Sequence, residues 1–171
     1  MHPEVINFVS VVRRKFPDYF VANKVLEVGS LDLNGSVRQF FDSCEYIGID
    51  IGEGKGVDLV VPMHEYKKPG EFDVVITTEM LEHDQHWQDS LIQMYENLRS
   101  GGLLILTCAS LGRAEHGTIR TSPSDSPFTT DYYRNISPTD FLTVLPSELF
   151  KTSFIDVQRG FQDLVFWGVK K

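Results

Sequence analysis

The sequence lacks any apolar run approaching the ~18 residues of a membrane-spanning helix, and it has no glycine-, proline- or serine-rich linker and no internal repeat. Basic residues are in deficit, with 16 Lys+Arg against 24 Asp+Glu and a net charge of −8. A protein that neutralises many phosphates needs a basic face. The one basic cluster, Arg13-Arg14-Lys15, falls at the end of a predicted helix, where it suits the negative end of the dipole. Nucleic acid is therefore not an expected partner. Cysteine is also scarce: Cys44 and Cys108 each sit beside a strand-like run and read as buried free thiols rather than a disulfide or metal pair. The opening MHPEVINFVSVVRRKF is broken by charges and lacks the apolar stretch of a secretory signal, so the expected location is the cytoplasm, without membrane contact.

What is present is ordinary globular material: 171 residues, 42% hydrophobic and 23% charged, enough for one domain (1–171) with its own core. Val5, Phe8, Val9, Val12 and Phe16 recur at helical spacing after Pro3, which predicts an amphipathic helix within residues 1–22. Short apolar runs predict strands at Lys24–Val28, Tyr46–Asp50, Val57–Val61 and Phe72–Thr77. A helix is expected over Gly35–Phe41. A second, over Asp84–Arg99, puts Trp87, Leu91, Met94, Tyr95 and Leu98 on one face and stops at Gly101-Gly102. Leu103–Thr107 reads as a fifth strand, followed by a long polar loop over 109–136 and a helix start at Ser137-Pro138-Thr139-Asp140. Phe154–Val157 and Leu164–Val169 are expected to pair as a hairpin.

Non-alternating apolar strands interleaved with helices imply a mostly parallel sheet covered on both faces, with an antiparallel strand from the terminal hairpin. In such a doubly wound α/β domain, ligands bind beyond the carboxyl ends of the strands, where strand order reverses. Glu27-Val28-Gly29-Ser30 ends the first strand, and Asp50 ends the second, 23 residues after Glu27. An acid at that register is placed to accept hydrogen bonds from ribose hydroxyls. Glu27 argues against a pyrophosphate in the glycine turn, and Gly29 and Gly35 do not satisfy G-x-G-x-x-G. An acidic wall favours instead a ligand with an ammonium and a sulfonium and no phosphate, which describes S-adenosylmethionine.

At these residues the chain resembles the class I S-adenosylmethionine-dependent methyltransferases, in particular small, type 11-like members. VLEVGS is similar to the family's first motif, YIGIDI supplies the ribose-binding acid, FDVVITTEMLEHD matches the fourth-strand motif and LRSGGLLILT the fifth-strand signature. The ending DLVFWGVKK fits the family's antiparallel seventh strand. The resemblance covers about 24–171 and implies a Rossmann-like seven-stranded sheet, S-adenosylmethionine as cofactor and S-adenosylhomocysteine as product. The cofactor-binding residues it implies are Glu27, Gly29, Ser30, Leu31, Asn34, Asp50, Ile51, Met63, His64, Thr78, Glu79 and Met80. The segment between Asp50 and Asp58 is too short for the family's usual helix, and Pro62 stands where the family often has an adenine-reading acid.

The acceptor side is read from the loop over 109–136, which is too long for an idle connector and sits after the fifth strand. It is expected to be a substrate lid, with His116, Tyr132, Tyr133 and Arg134 as substrate-binding residues and His116 or His83 as the base for an alcohol. The expected reaction is methyl transfer to an oxygen, with nitrogen second, of a small polar acceptor such as a sugar or metabolite. No metal is expected. The alternative set Glu79, Glu82, His83 and His116 resembles the E-x-x-E-H cluster and later histidine of metal-dependent small-RNA 2′-O-methyltransferases. A methyltransferase-like subunit without catalysis is the other alternative, and the sequence leaves the oligomeric state open.

Overall fold

The computed structural model describes residues 2–129 and 131–171; Met1 and Thr130, which fall in the expected N-terminal segment and loop, lie outside the described residues. A helix α1 (Pro3–Lys15) leads into strand β1 (Lys24–Val28), then β2 (Glu45–Asp50), β3 (Leu59–Val60) and β4 (Phe72–Thr78). Helix α2 (Trp87–Asn97), strand β5 (Leu98–Ala109), helix α3 (Pro138–Val144) and the hairpin β6 (Phe150–Gln158) and β7 (Asp163–Lys170) follow. The sheet order is β3-β2-β1-β4-β5-β7-β6, with β1 to β5 parallel and β7 antiparallel to both neighbours. Strand order reverses between β1 and β4, so the crevice expected of a doubly wound sheet opens there.

The period-2 alternation of each strand divides the core into two layers. Val25, Val74, Ile76, Leu103 and Ile105 meet Val5, Phe8, Val9 and Val12 of α1 on one face. Leu26, Val75, Leu104 and Leu106 meet Leu91 and Met94 of α2 and Phe141 of α3 on the other. Ser137 caps α3 as expected, in a reciprocal capping box with Asp140.

Three local expectations give way. The helix expected over 35–41 is only a 3₁₀ turn (Val37–Phe40), because Asp42 is drawn into a parallel bridge with Val21 and Phe41 before it is extended. The strand expected over 57–61 shrinks to the exposed edge pair Leu59–Val60. The helix expected to reach Arg99 ends at Asn97, and Leu98 is buried as a strand residue paired with Phe72. Gly101-Gly102 therefore lies inside β5, where the backbone of Gly102 passes so near Leu98 that a Cβ would stand 2.8 Å from its side chain. The hairpin strands run several residues longer than expected.

Asn97 explains where α2 stops. Its fully buried side chain donates to the Tyr66 carbonyl (2.8 Å) and accepts from the Lys68 amide (2.8 Å) and Gln93 Nε2 (3.0 Å), fastening the β3–β4 connection to the helix end. Asn97→Ala leaves two backbone groups without partners and is expected to cost about 2–3 kcal/mol, read as a lowered urea midpoint with unchanged slope.

Candidate functional site

β1 lies between two strands and beneath two helical layers, so every one of its inward positions should be apolar. Glu27 breaks that rule: it is 3% exposed and accepts a hydrogen bond from Tyr46 Oη (3.0 Å). Burial raises its pKa to about 7 against the opposing effect of the Tyr46 bond. The strand then turns at Gly29, whose φ of +73° favours glycine and whose Cβ, if it had one, would stand 2.7 Å from Met80 Cβ. The amides of Gly29 and Ser30 both reach the Ile49 carbonyl (2.9 and 3.1 Å), tying this turn to the end of β2. There Asp50 accepts from the amides of Leu31 (3.2 Å) and Gly52 (3.2 Å); burial nonetheless raises its pKa.

These turns form one wall of a cavity of about 500 Å³ at the carboxyl edge of the sheet. All twelve residues expected to hold a cofactor line it, including Met63, His64, Thr78 and Asn34. Three buried polar atoms among the lining residues, Ser30 Oγ, His64 Nδ1 and His83 Nδ1, have no hydrogen-bond partner among the described residues. Residues 125–129 of the loop line the same cavity, with Arg113 and His116.

The expected substrate set is only partly assembled. His83 and His116 line the cavity, but among the described residues Tyr132, Tyr133 and Arg134 do not. Arg134 is committed to Asp140 (3.1 Å) and lies over the Trp87 ring, because its backbone is pinned by a bond to the Glu82 carbonyl (2.9 Å). Tyr133 packs its ring on His83 and His116 and donates to the Ala114 carbonyl (3.2 Å).

The four-residue set Glu79, Glu82, His83 and His116 also divides. Glu79 adopts a left-handed backbone (φ +55°) at the end of β4, which turns its carboxylate to Thr107 Oγ1 (2.8 Å) and His2 Nε2 (3.2 Å). There it joins His2 and Asp163, a separate group from Glu82, His83 and His116. Glu82 is wholly buried, and neither carboxylate oxygen has a hydrogen-bond partner. Burial and the nearby Glu79 charge push its pKa well above the usual carboxylate range. Burial, with His116 beside it, lowers His83 to about 4.

His2, Asp163 and Arg113 are the residues that sequence reasoning missed. Asp163 carried a topological signal, since an antiparallel β7 must begin at the edge where the parallel strands end. His2 carried none, because only tertiary folding brings the residue before α1 to that edge. Its Nε2 stands 3.1 Å from Asp163 and its ring stacks on Phe161 at 4.6 Å.

No protein-family model matches the chain, so the type 11-like subfamily has no support from one, and no curated protein matches it. Its fold is that of solved S-adenosylmethionine-dependent methyltransferases. Burkholderia thailandensis 1,6-didemethyltoxoflavin-N1-methyltransferase, solved with 1,6-didemethyltoxoflavin and S-adenosylhomocysteine, superposes with a TM-score of 0.70 at 17% identity, covering 99% of this chain and 79% of that one. An Archaeoglobus fulgidus methyltransferase gives 0.64 at 16%, covering 96% and 94%. The CurJ carbon methyltransferase gives 0.61 at 18%, covering 97% and 53%. At these identities the likeness is one of fold. Among the described residues no helix is long and apolar enough to cross a membrane.

Burial alone would lower the His2 imidazole, but its contacts with Asp163 and Glu79 raise it to about 10. A raised folded pKa makes the contribution complete below about 6.5 and lost as pH climbs through about 10. His2→Ala removes the imidazole that lies between the half-buried Glu79 and the buried Asp163 and is expected to destabilise the protein by about 2 kcal/mol near neutrality. Thermal melts at pH 6 and pH 10.5 should show the gap from the native protein narrowing at the higher pH.

Proposed function

We propose that the chain is an S-adenosylmethionine-dependent methyltransferase that methylates an oxygen, or second a nitrogen, of a small polar acceptor. The observation that carries this reading is the pair Glu27 and Asp50 on one cavity wall at the strand-order reversal. A buried carboxyl poised at about 7 suits a ligand ammonium, which would hold it ionised, whereas a pyrophosphate beside it would be repelled. Asp50 stands at the end of the neighbouring strand for the ribose hydroxyls. Ser30 Oγ and His64 Nδ1 offer unfilled hydrogen-bonding positions for the rest of the ligand.

The cofactor, when bound, supplies an activated methyl electrophile, so the chain need only align an in-line displacement and exclude water. The Gly29 turn and Met80 would set the depth of the donor, and residues 125–129 would close over it as a lid. An alcohol acceptor must also lose a proton. His83, lowered to about 4, is a weak base near neutrality, which leaves His116. The acceptor atom is not dictated by the fold, since the neighbours include a nitrogen and a carbon methyltransferase.

Calorimetric titration with S-adenosylhomocysteine tests the reading. The expected result is micromolar binding, weakened about 10- to 100-fold by Asp50→Ala through loss of charged hydrogen bonds, with no binding of NAD⁺. Absence of binding to the native protein would leave a methyltransferase-shaped module without this cofactor.

A pH series separates the role of Glu27. Its raised pKa makes the free protein lose stability as pH rises from about 4.5 to about 7, while ligand binding requires the ionised form. Affinity is expected to rise with pH up to about 7 and then level, with Glu27→Gln binding weakly and without this slope.

A further inference from the structure

We propose that Phe128, at the tip of the loop after β5, is a binding residue for the nucleoside end of the methyl donor, closing over it by seating its ring on Gly52; this role rests on the methyltransferase reading. Gly52 follows Asp50 in the turn after β2, and its amide donates to the Asp50 carboxylate (3.2 Å). A Cβ at residue 52 would overlap three atoms of the Phe128 ring, so the ring lies directly on the glycine backbone. Gly52 is buried although Ile51 and Glu53 on either side of it are exposed, which marks the ring as its cover.

The loop comes from the far side of the crevice. It leaves the sheet at Ala109, the end of β5, whereas the turn it meets follows β2, with β4 and β1 between them. Three strand spacings separate the two, a crossing of about 14 Å. The legs of the loop are tied at the β5 end, where the Ile136 amide donates to the Ala109 carbonyl (2.9 Å) and Asn135 Nδ2 to the Arg113 carbonyl (2.9 Å). Farther out, Arg120 bridges Glu115 (2.9 Å) and Asp131 (2.9 Å). At the tip Thr129 folds back on Ser126, its amide and Oγ1 both reaching the Ser126 carbonyl (3.3 and 2.9 Å), which leaves Pro127 and Phe128 at the apex. The result is a bonded strap with an aromatic residue at its end.

Phe128 is half exposed, and it lines the cavity together with Asp50 and Ile51, itself 47% exposed. Two apolar side chains therefore stay in water at the end of β2. A nucleoside there would cover both, since a purine offers an apolar face to an aromatic ring. Closing onto the nucleoside gives the loop a contact that the empty site lacks, and only such a difference can shift the loop toward its closed position. The same loop carries His116 into the cavity, so binding of the donor under Phe128 also settles the histidine that faces the acceptor.

The test follows association and release of S-adenosylhomocysteine on the full chain by surface plasmon resonance. Phe128→Ala is expected to speed release about tenfold with little change in association, because affinity differences within one site fall mainly on dissociation. Gly52→Ala keeps its amide and needs no left-handed backbone, so its methyl group acts by unseating the ring and should speed release to a similar extent. In the double variant the second substitution should change release by less than about twofold, since both remove one contact. Ile119→Ala, at an exposed position on the same loop, should leave release unchanged. Melting temperatures of the single variants should stay near that of the native protein, which separates release from unfolding. Native release from Phe128→Ala, or effects that multiply in the double variant, would overturn the role of Phe128. Trypsin cleavage after Arg120 reads the loop without ligand: it should be faster in Gly52→Ala and Phe128→Ala, and S-adenosylhomocysteine should slow it in the native protein and not in Phe128→Ala. S-adenosylhomocysteine bound by the native protein with both variants unaltered rejects the closure alone. Its failure to bind the native protein rejects the methyltransferase reading and the nucleoside role with it, while faster cleavage of the variants would still establish the seat on Gly52.

Discussion

The backbone of Gly29 lies against the side chain of Met80, and the rest of the site is arranged around that approach. A Cβ at residue 29 would meet Met80 at 2.7 Å, and the φ of +73° would strain any other residue. The two residues leave β1 and β4, the neighbouring strands at which the sheet order reverses. Their contact therefore closes the floor of the crevice. Because the Gly29 and Ser30 amides share the Ile49 carbonyl, the same turn also holds the end of β2 and with it Asp50.

Above that floor the dominant energetic problem is negative charge. Glu27, Glu79, Glu82 and Asp163 all lie near the carboxyl edge, and burying a carboxylate is costly unless something compensates it. The fold compensates it in two places and leaves it in a third. Tyr46 donates to Glu27, whose pKa is raised to about 7; His2 is folded back between Glu79 and Asp163; the Glu82 carboxylate is left with no hydrogen-bond partner. The compensation comes from Tyr46 on β2, from the residue before α1 and, at Asp163, from Arg113 of the long loop. An edge so rich in carboxylates is suited to cationic ligands and hostile to phosphates.

The two walls of the cavity have different origins. One, which would hold the methyl donor in the proposed reading, is made by turns after β1, β2 and β4, whose positions follow from the parallel sheet. The other, which would face the acceptor, is made by the loop after β5, by the turn after β4 and by His2. Solved proteins of the same fold include a nitrogen and a carbon methyltransferase, as expected if loops rather than strands set the acceptor.

The fold class and the residues that line the cavity at the ends of β1, β2 and β4 were legible in the sequence because they depend on local signals: apolar runs, a glycine turn and an acid at the end of the next strand. The 3₁₀ turn at Val37–Phe40 and the early end of α2 were not, since the bridge from Asp42 to Val21 and the bonds of Asn97 join residues far apart in the chain. For the same reason Arg134, whose guanidinium reads as an anion clamp in sequence, is spent on Asp140 and Trp87. His2, among the first residues of the chain, reaches the ends of β4 and β7. Residue type and spacing determined which chemistry the strand ends could carry. Only the packing of α1, the loop and the hairpin decided which carboxylates would find a partner, because partners for buried charge are chosen by distance in space and not along the chain.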